Sequence, residues 1–237
     1  MSTSATSATG GFVVVALILV LAGCRAEPDA PQFPDAGRDV APIVSDRFST
    51  EDARDRVGEA NEVMRLAGVR PGMFVADIGA GEGYYTVRLS PLVGPRGRVL
   101  AQDIVSRTRD RLAARIEEER LDNVAVLLGK PDNPMLPRAS LDRIFLVHMY
   151  HEVTEPYAFL WHLRDGLKKD GLVVVVDADR SVKQHGMPPR LLMCEFAALG
   201  MIPVDVARLA DGEAYFVAFK AKRPRPAPEA IKPCATA

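Results

Sequence analysis

An apolar run that ends in a glycine-rich turn constrains the fold of this chain more than any other feature. The run Val75 to Ile78 predicts a buried parallel strand, and glycines follow it at positions 79, 81 and 83. Alternating glycines let the backbone turn sharply and approach a ligand closely. Asp103, twenty residues after the last of these glycines, follows a second short apolar run. The pattern predicts a nucleotide-type pocket at the carboxyl ends of two parallel strands.

The spacing of the glycines separates the possible nucleotides. A dinucleotide fingerprint needs a small residue where this chain has Tyr84. Asp77 at the strand end and Glu82 in the turn would also repel phosphate oxygens. We therefore expect a ligand without phosphate. S-adenosylmethionine, with its adenine, ribose diol, sulfonium and amino acid group, suits carboxylates and loop amides, and Asp103 is placed to accept hydrogen bonds from both ribose hydroxyls.

Two segments resemble a known family. Residues 57–104, which contain the glycine turn and Asp103, resemble the first half of class I S-adenosylmethionine-dependent methyltransferases. Residues 136–153 resemble the fourth-strand region of bacterial small-molecule methyltransferases that carry a Tyr-His pair. The N-terminus of this chain additionally resembles a lipoprotein-type signal. The resemblance, over about residues 50–221, implies methyl transfer from S-adenosylmethionine to a small acceptor. The candidate cofactor-binding residues are Asp77, Gly79, Ala80, Gly81, Gly83, Tyr84, Asp103 and Asp132.

Asp132 is chosen by geometry, because it follows the predicted third strand. Many related enzymes have an acidic residue directly after the glycine at this point, whereas this chain has Lys130 after Gly129. Asp132 is either the substitute contact or a loop residue that caps nearby amides.

Helical and strand patterns alternate between residues 49 and 221, which is typical of a parallel sheet covered on both faces. The last two predicted strands, 203–209 and 214–221, are too close for a crossover and must form an antiparallel hairpin. The expected fold is α/β: a Rossmann-like class I methyltransferase fold with a mostly parallel seven-stranded sheet. The other strands are predicted at 73–77, 98–102, 123–128, 142–147 and 171–177, and helices at 51–67, 83–92, 105–120, 155–168 and 188–199.

The fourth strand delivers His148, Tyr150 and His151 to the edge where the methyl donor would bind. Methyl transfer to an alcohol, phenol or amine requires removal of a proton, and histidine suits that role near neutral pH. These three residues are the catalytic candidates. The alternative is that Tyr150 stacks on the cofactor or covers the sheet edge while His151 hydrogen-bonds a loop carbonyl. We expect no metal site, because His148-x-x-His151-Glu152 has neither the order nor the helical setting of a zinc-binding helix. His185 follows the fifth strand, in a segment that in similar enzymes can fold over the acceptor, and it is interpreted as a surface loop histidine.

The ends of the chain differ from its centre. Phe12 to Ala22 form an apolar run that ends in Leu-Ala-Gly-Cys24 and resembles the lipobox of bacterial lipoproteins, although residues 1–23 contain no Lys or Arg. We predict a signal peptide over 1–24 with lipidation at Cys24, a proline-rich tether over 25–48, a methyltransferase domain over 49–221 and a disordered tail over 222–237. The predicted location is the bacterial cell envelope on the periplasmic side. The alternative is a cytoplasmic protein with an uncleaved leader.

The composition limits the partners. A net charge of −1 gives no reason to expect nucleic acid. The three cysteines do not form a disulfide framework, and Cys194 is interpreted as packed, with a bond to Cys234 left open. The function is predicted to be methyl transfer to an unidentified small molecule, with membrane attachment by the lipid anchor only. The alternative is an exported binding module that keeps the pocket without catalysis. The sequence indicates neither the acceptor nor the oligomeric state.

Overall fold

A computed structural model describes residues 1–2, 4, 31–43, 51–210 and 212–235. The chain divides into two compact units, Met1–Ala30 and Pro31–Ala237, and the second is described below. The predicted cleavage and lipidation site at Cys24 lies outside the described residues. None of the helices in the described ranges is both long and apolar enough to cross a membrane.

A seven-stranded sheet forms the centre of the second unit, with the strand order β3-β2-β1-β4-β5-β7-β6. The first five strands pair in parallel, and β7 pairs antiparallel with both β5 and β6. The predicted mostly parallel sheet with a C-terminal antiparallel hairpin is therefore confirmed. The strands are β1 (Phe74–Ile78), β2 (Arg98–Asp103), β3 (Val124–Leu128), β4 (Leu141–Val147), β5 (Leu167–Ala178), β6 (Met201–Arg208) and β7 (Ala214–Ala221).

Helices cover both faces of the sheet. Successive residues of the central strands point to opposite faces, and both sets are apolar. Ile144 of β4 belongs to a core with Leu163 of α5 and Phe196 of α6. The next residue, Phe145, belongs to the core on the opposite face, with Leu89 of α3. This is the burial pattern of a parallel sheet. The helices are α1 (Glu51–Val57), α2 (Glu59–Leu66), α3 (Tyr84–Val93), α4 (Ser106–Glu118), α5 (Pro156–Gly166) and α6 (Pro189–Ala198).

Two predicted elements differ from the observed ones. The helix expected over 51–67 is two helices, because Gly58 adopts a left-handed conformation with a φ of 70° between α1 and α2. Strand β5 begins at Leu167 rather than at residue 171, with a register shift against β4 between Leu141 and Arg143. Lys168, at the end of the predicted helix, and residues 169–170, between that helix and the predicted strand, are thus part of the strand.

The segment 31–43 was expected to be an extended tether, but it packs on the domain. Arg38 donates from Nε to Oε1 of Glu195 at 2.8 Å, and both side chains are almost completely buried. The amide of Ala41 donates to the carbonyl of His151 at 3.1 Å. Long-range ion pairing, which has no local sequence signature, holds this segment in place.

The tail was expected to be disordered, and this prediction is wrong for residues 222–235. The indole of Trp161 donates to the carbonyl of Pro226 at 3.1 Å, and the Arg225 guanidinium carbon lies 3.5 Å from the Trp161 ring centroid. Cys234 forms a disulfide with Cys194 of α6, with the two Cα atoms 6.0 Å apart. Cys194 is thus bonded, and it is exposed rather than packed as predicted.

Candidate functional site

A cavity of about 820 Å³ opens at the carboxyl ends of the parallel strands. Small-molecule pockets commonly measure about 300–1,000 Å³, so this cavity has room for a large ligand or for two ligands side by side. It is bounded by the glycine turn, by the ends of β2 and β4 and by residues 41–43. The described residues that line it are Ala41, Pro42, Ile43, Glu51, Arg54, Ile78, Gly79, Ala80, Gly81, Glu82, Tyr84, Gln102, Asp103, Ile104, Val105, Arg111, Lys130, Pro131, Val147, His148, Met149, Glu152, Val153, Thr154 and Phe159.

The glycine turn and Asp103 form one wall of the cavity, as predicted. Gly79 and Gly81 have φ values of 66° and 56°, a region that side chains with a Cβ rarely adopt. The Asp103 carboxylate accepts the Gly81 amide on one oxygen at 3.1 Å and the Val105 amide on the other at 2.8 Å. Asp103 thereby joins the turn after β1 to the turn after β2. Ala80, between the glycines, also lines this wall.

Asp77 lies behind the turn and does not occur among the described residues of the cavity wall. Its carboxylate accepts the Thr86 hydroxyl at 2.6 Å, and only 3% of its surface is exposed. Burial raises the pKa of Asp77 to about 6, although the Thr86 hydrogen bond opposes the shift. The contact of Asp77 with the cofactor therefore stays a prediction. In this structure Asp77 anchors the first turn of α3 through Thr86.

Tyr84 lines the cavity between two cations. The guanidinium carbons of Arg54 and Arg88 lie 3.9 and 3.8 Å from its ring centroid, and its hydroxyl donates to Asp55 at 2.9 Å. The two guanidinium groups and the Tyr84 ring form a stack that fixes the first residue of α3. Gly83, directly before it, is not among the described lining residues. Gly83 has a φ of 90°, and a Cβ there would lie 2.5 Å from Leu112 Cδ1, so a side chain at this position would be strained and would displace Leu112.

The end of β3 contributes Lys130 and Pro131 to the cavity instead of Asp132. The backbones of Lys130 and Asn133 exchange hydrogen bonds at 2.8 and 3.2 Å, which closes a tight loop. That loop turns Asp132 toward His162. Burial lowers the pKa of His162, and the charge of Asp132 opposes this shift. Asp132 is therefore off the described cavity wall, which favours its alternative as a loop residue.

His148 lies on the cavity wall at the end of β4. Its backbone is in the left-handed region, with a φ of 51°, and its amide donates to Val176 at 2.8 Å. The imidazole Nε2 lies 2.9 Å from Oε2 of Glu59, a buried carboxylate of α2 that also accepts Arg54 and Tyr85. Burial acts to raise the pKa of Glu59, but His148 and Arg54 lower it to about 2. An ionised carboxylate therefore orients the His148 ring.

Tyr150 and His151 point away from the cavity, which corrects their expected position beside the methyl donor. Residues Tyr150–Glu152 form a 3₁₀ turn that rotates both side chains into the protein. The Tyr150 hydroxyl donates to Glu195 at 2.7 Å, and burial raises its pKa well above the usual value. The ring of His151 is completely buried against Asp177, with Nδ1 2.9 Å from the nearer carboxylate oxygen. Only tertiary packing sets these directions.

Several cavity residues have no sequence motif. The Gln102 side-chain amide nitrogen is buried without a hydrogen-bond partner among the described residues, and Gln102 lines the cavity. Ile104 also lines the cavity and is 37% exposed. Because it directly follows Asp103, its place in the sequence could have predicted this position. Residues 41–43 carried no signal, because a proline-containing segment does not reveal where it docks. The 3₁₀ turn also brings Glu152 close to His151 and His185.

Known proteins resemble this chain over its central segment. Residues 75–171 match the family model described as a methyltransferase domain. A protein-L-isoaspartate O-methyltransferase of Methanothrix thermoacetophila is 28% identical over 110 residues, or 46% of this chain and 50% of that protein. A ubiquinone/menaquinone biosynthesis C-methyltransferase of Shewanella frigidimarina is 28% identical over 159 residues, or 64% of this chain and 61% of that protein. The chain therefore spans about half to three fifths of these two relatives.

Solved structures share the fold over a longer range. The crystal structure of a SAM-dependent methyltransferase from Aquifex aeolicus superposes with a TM-score of 0.67 and 24% sequence identity, covering 72% of this chain and 93% of that chain. This match confirms the predicted Rossmann-like methyltransferase fold. The chain thus has the class I S-adenosylmethionine-dependent methyltransferase fold, and its residues 75–171 match the methyltransferase-domain model.

Proposed function

We propose that this protein binds S-adenosylmethionine and transfers its methyl group to a small-molecule acceptor. The observation that carries the proposal is the position of Asp103 beside two left-handed glycines on the wall of an 820 Å³ cavity. In a parallel sheet this strand-end crevice is where nucleotide-like ligands bind. The matched methyltransferase-domain model supports the same assignment.

The residues of the cavity fit the methyl donor. Asp103 is 7% exposed and offers carboxylate lone pairs to a ribose diol, while the apolar side chains of Ile104 and Pro131 suit the faces of an adenine. The unpartnered amide nitrogen of Gln102 can donate to a ligand acceptor. Gly79 is closely covered, because a Cβ there would lie 3.0 Å from Met149 Cγ. A side chain at position 79 would therefore displace Met149, which also lines the cavity.

The opposite part of the cavity suits a small acceptor. S-adenosylmethionine supplies an electrophilic methyl carbon, so the protein must orient a nucleophile, exclude water and accept a proton where the acceptor carries one. His148 is the acid–base candidate on the wall, and the Glu59 carboxylate fixes its ring. Val153, Phe159 and residues 41–43 form an apolar boundary that excludes water.

Binding of the demethylated product S-adenosylhomocysteine tests the donor site. Asp103→Ala should weaken binding by about 1.5–3 kcal/mol, roughly 10- to 150-fold, because charge-assisted hydrogen bonds are lost. Asp132→Ala is the matched control and should bind like the wild type, since its side chain is directed elsewhere. Isothermal titration measures both. Absence of wild-type binding at millimolar ligand would overturn the proposal.

A second candidate function is a binding module that keeps the cofactor pocket without catalysis. The specific observation in its favour is that Tyr150 and His151 are buried away from the cavity, which leaves His148 as the one predicted catalytic residue on the described wall. Radiolabelled methyl transfer across a panel of alcohols, phenols, amines and thiols separates the candidates. Donor binding without transfer to any of them would favour the binding module.

We also propose that the protein is exported and lipid-anchored through Cys24 in the cell envelope. Two observations support this location: the lipobox-like sequence, and the Cys194–Cys234 disulfide, since structural disulfides persist mainly in oxidising compartments. Mass spectrometry of the mature N-terminus should find a lipidated Cys24 and no residues 1–23. An intact, unmodified N-terminus in the cytoplasmic fraction would support the uncleaved leader instead.

A further inference from the structure

We propose that His151, Glu152 and His185 bind a divalent metal ion of the zinc class at the edge of the cavity. One potential ligand atom from each of the three side chains lies within 4.8 Å of the other two. This is slightly wider than the roughly 3.5 Å between neighbouring ligands of a tetrahedral zinc ion, so a small closing movement completes the geometry. His151 and His185 are 34 positions apart in sequence, which is why no motif revealed the cluster.

His151 is held as a metal ligand would be. Its Nδ1 lies 3.0 and 2.9 Å from the two carboxylate oxygens of Asp177. Because a carboxylate accepts, Nδ1 carries the proton and Nε2 presents a lone pair. The Ala178 amide donates to the same carboxylate at 2.8 Å and fixes it. A carboxylate behind a ligating histidine is the usual outer support of a zinc site.

The lone pair of His151 has no protein partner. Nε2 is buried without a hydrogen bond to any residue that the structure describes, and the whole side chain is 0% exposed. Buried polar atoms are almost always hydrogen-bonded, so an unsatisfied one points to a bound group. A cation would satisfy this nitrogen. His151 does not line the cavity, so it cannot take a proton from the methyl acceptor as proposed for His148.

His185 supplies the second nitrogen. Its Nδ1 is also buried and has no hydrogen-bond partner within the described ranges, and its ring centroid lies 5.7 Å from that of His151. The backbone of His185 is left-handed, with a φ of 55°. Such a conformation is strained for a residue with a Cβ and persists where the surroundings enforce it.

The loop around His185 is tightly fixed. The His185 amide donates to Val182 at 2.9 Å, and the Met187 amide donates to Ala178 at 2.9 Å. A Cβ at Gly186 would lie 2.7 Å from the Ala178 carbonyl oxygen, so the chain here runs against the end of β5. The ring is therefore presented by a rigid element, as a metal site requires.

Glu152 supplies an oxygen ligand and links the site to the cavity, because it is also a lining residue. Two imidazoles and one carboxylate form a ligand set typical of zinc sites that keep a fourth position open. The negative charges of Glu152 and Asp177 favour a cation. The inference does not depend on methyl transfer, since a metal ion can bind these residues whether or not the donor pocket is active.

Titration of the full, metal-free chain with zinc chloride tests the site, followed by cobalt(II) as a spectroscopic probe. We expect one equivalent of zinc and visible cobalt bands of four- or five-coordinate geometry. His185→Ala, a half-buried loop change, should weaken zinc binding at least 100-fold, and Glu152→Gln at least 10-fold. Asp177→Asn, which alters a positioning residue, should weaken it 10- to 100-fold and shift the cobalt spectrum.

His162→Ala is the matched control, because His162 lies beside Trp161 rather than in the cluster. It should bind zinc like the wild type. S-adenosylhomocysteine affinity should be unchanged in His185→Ala. This second measurement shows whether a loss of zinc binding is accompanied by a loss of cofactor binding. Absence of stoichiometric zinc binding, or binding that His185→Ala leaves intact, would overturn the inference.

Discussion

Two aspartates at neighbouring strand ends have different roles because their surroundings differ. Asp103 is fixed by two backbone amides and remains on the cavity wall, where its charge can meet a ligand. Asp77 is enclosed and contacts the Thr86 hydroxyl, so its charge meets little solvent. Their sequence contexts are alike, since each ends a parallel strand.

The enclosed Asp77 should make stability depend on pH. Burial raises its pKa from 3.8 to about 6, so the folded state binds a proton more tightly than the unfolded state. Its contribution is therefore favourable at low pH and is lost as the pH rises from about 4 through 6. Asp77→Asn removes this slope and should gain up to about 3 kcal/mol relative to wild type between pH 4 and 7.

Urea unfolding at several pH values measures this difference. Thr86→Val should steepen the wild-type slope, because the Thr86 hydroxyl favours the charged carboxylate, whereas Thr86→Ser should preserve it. Parallel stability curves for wild type and Asp77→Asn would contradict the assignment.

At the scale of elements, the tail stabilises helices α5 and α6 together. It contacts Trp161 of α5 through Arg225 and Pro226, and the disulfide fastens it to Cys194 of α6. The Tyr157 hydroxyl of α5 also accepts the backbone amide of Cys234 at 2.6 Å. The tail has four prolines and no periodic apolar pattern, so its sequence resembles a disordered segment although these contacts hold it.

Replacing Cys194 and Cys234 together by serine should lower stability by about 3–4 kcal/mol, because the bond closes a loop of 40 residues in the unfolded chain. Trp161 is the one tryptophan of the sequence and should report release of the tail as a red-shifted emission. Reductant should shift the wild type in the same direction and leave the double variant unchanged. Arg225→Ala controls for loss of the cation above the ring. Equal melting temperatures with and without reductant would contradict the role of the bond.

At the scale of the molecule, residues 31–43 belong to the folded unit. They supply Arg38, which neutralises the buried charge of Glu195 by an ion pair. They also supply residues 41–43 of the cavity wall. Burial raises the pKa of Glu195 despite the opposing charge of Arg38. The boundary of the compact unit lies at Pro31 rather than at the predicted residue 49.

Two N-terminal deletions test this boundary. Removal of residues 1–30 should leave stability and S-adenosylhomocysteine affinity unchanged. Removal of residues 1–43 should cost about 3–5 kcal/mol, because Glu195 is left buried without its partner. The longer deletion should also weaken ligand binding, since part of the cavity wall is lost. Thermal unfolding and isothermal titration measure both effects, and equal behaviour of the two deletions would contradict the boundary.

The sequence by itself determined the parallel sheet, the antiparallel hairpin and the wall formed by Gly79, Gly81 and Asp103. These features follow from local patterns: strand periodicity, glycine conformations and a carboxylate at a strand end. Only the tertiary structure decided that Tyr150 and His151 turn inward, that His185 lies beside His151, and that the segment 31–43 and the tail pack on the domain. These outcomes depend on contacts between residues distant in sequence, where side-chain directions and buried partners leave no local pattern.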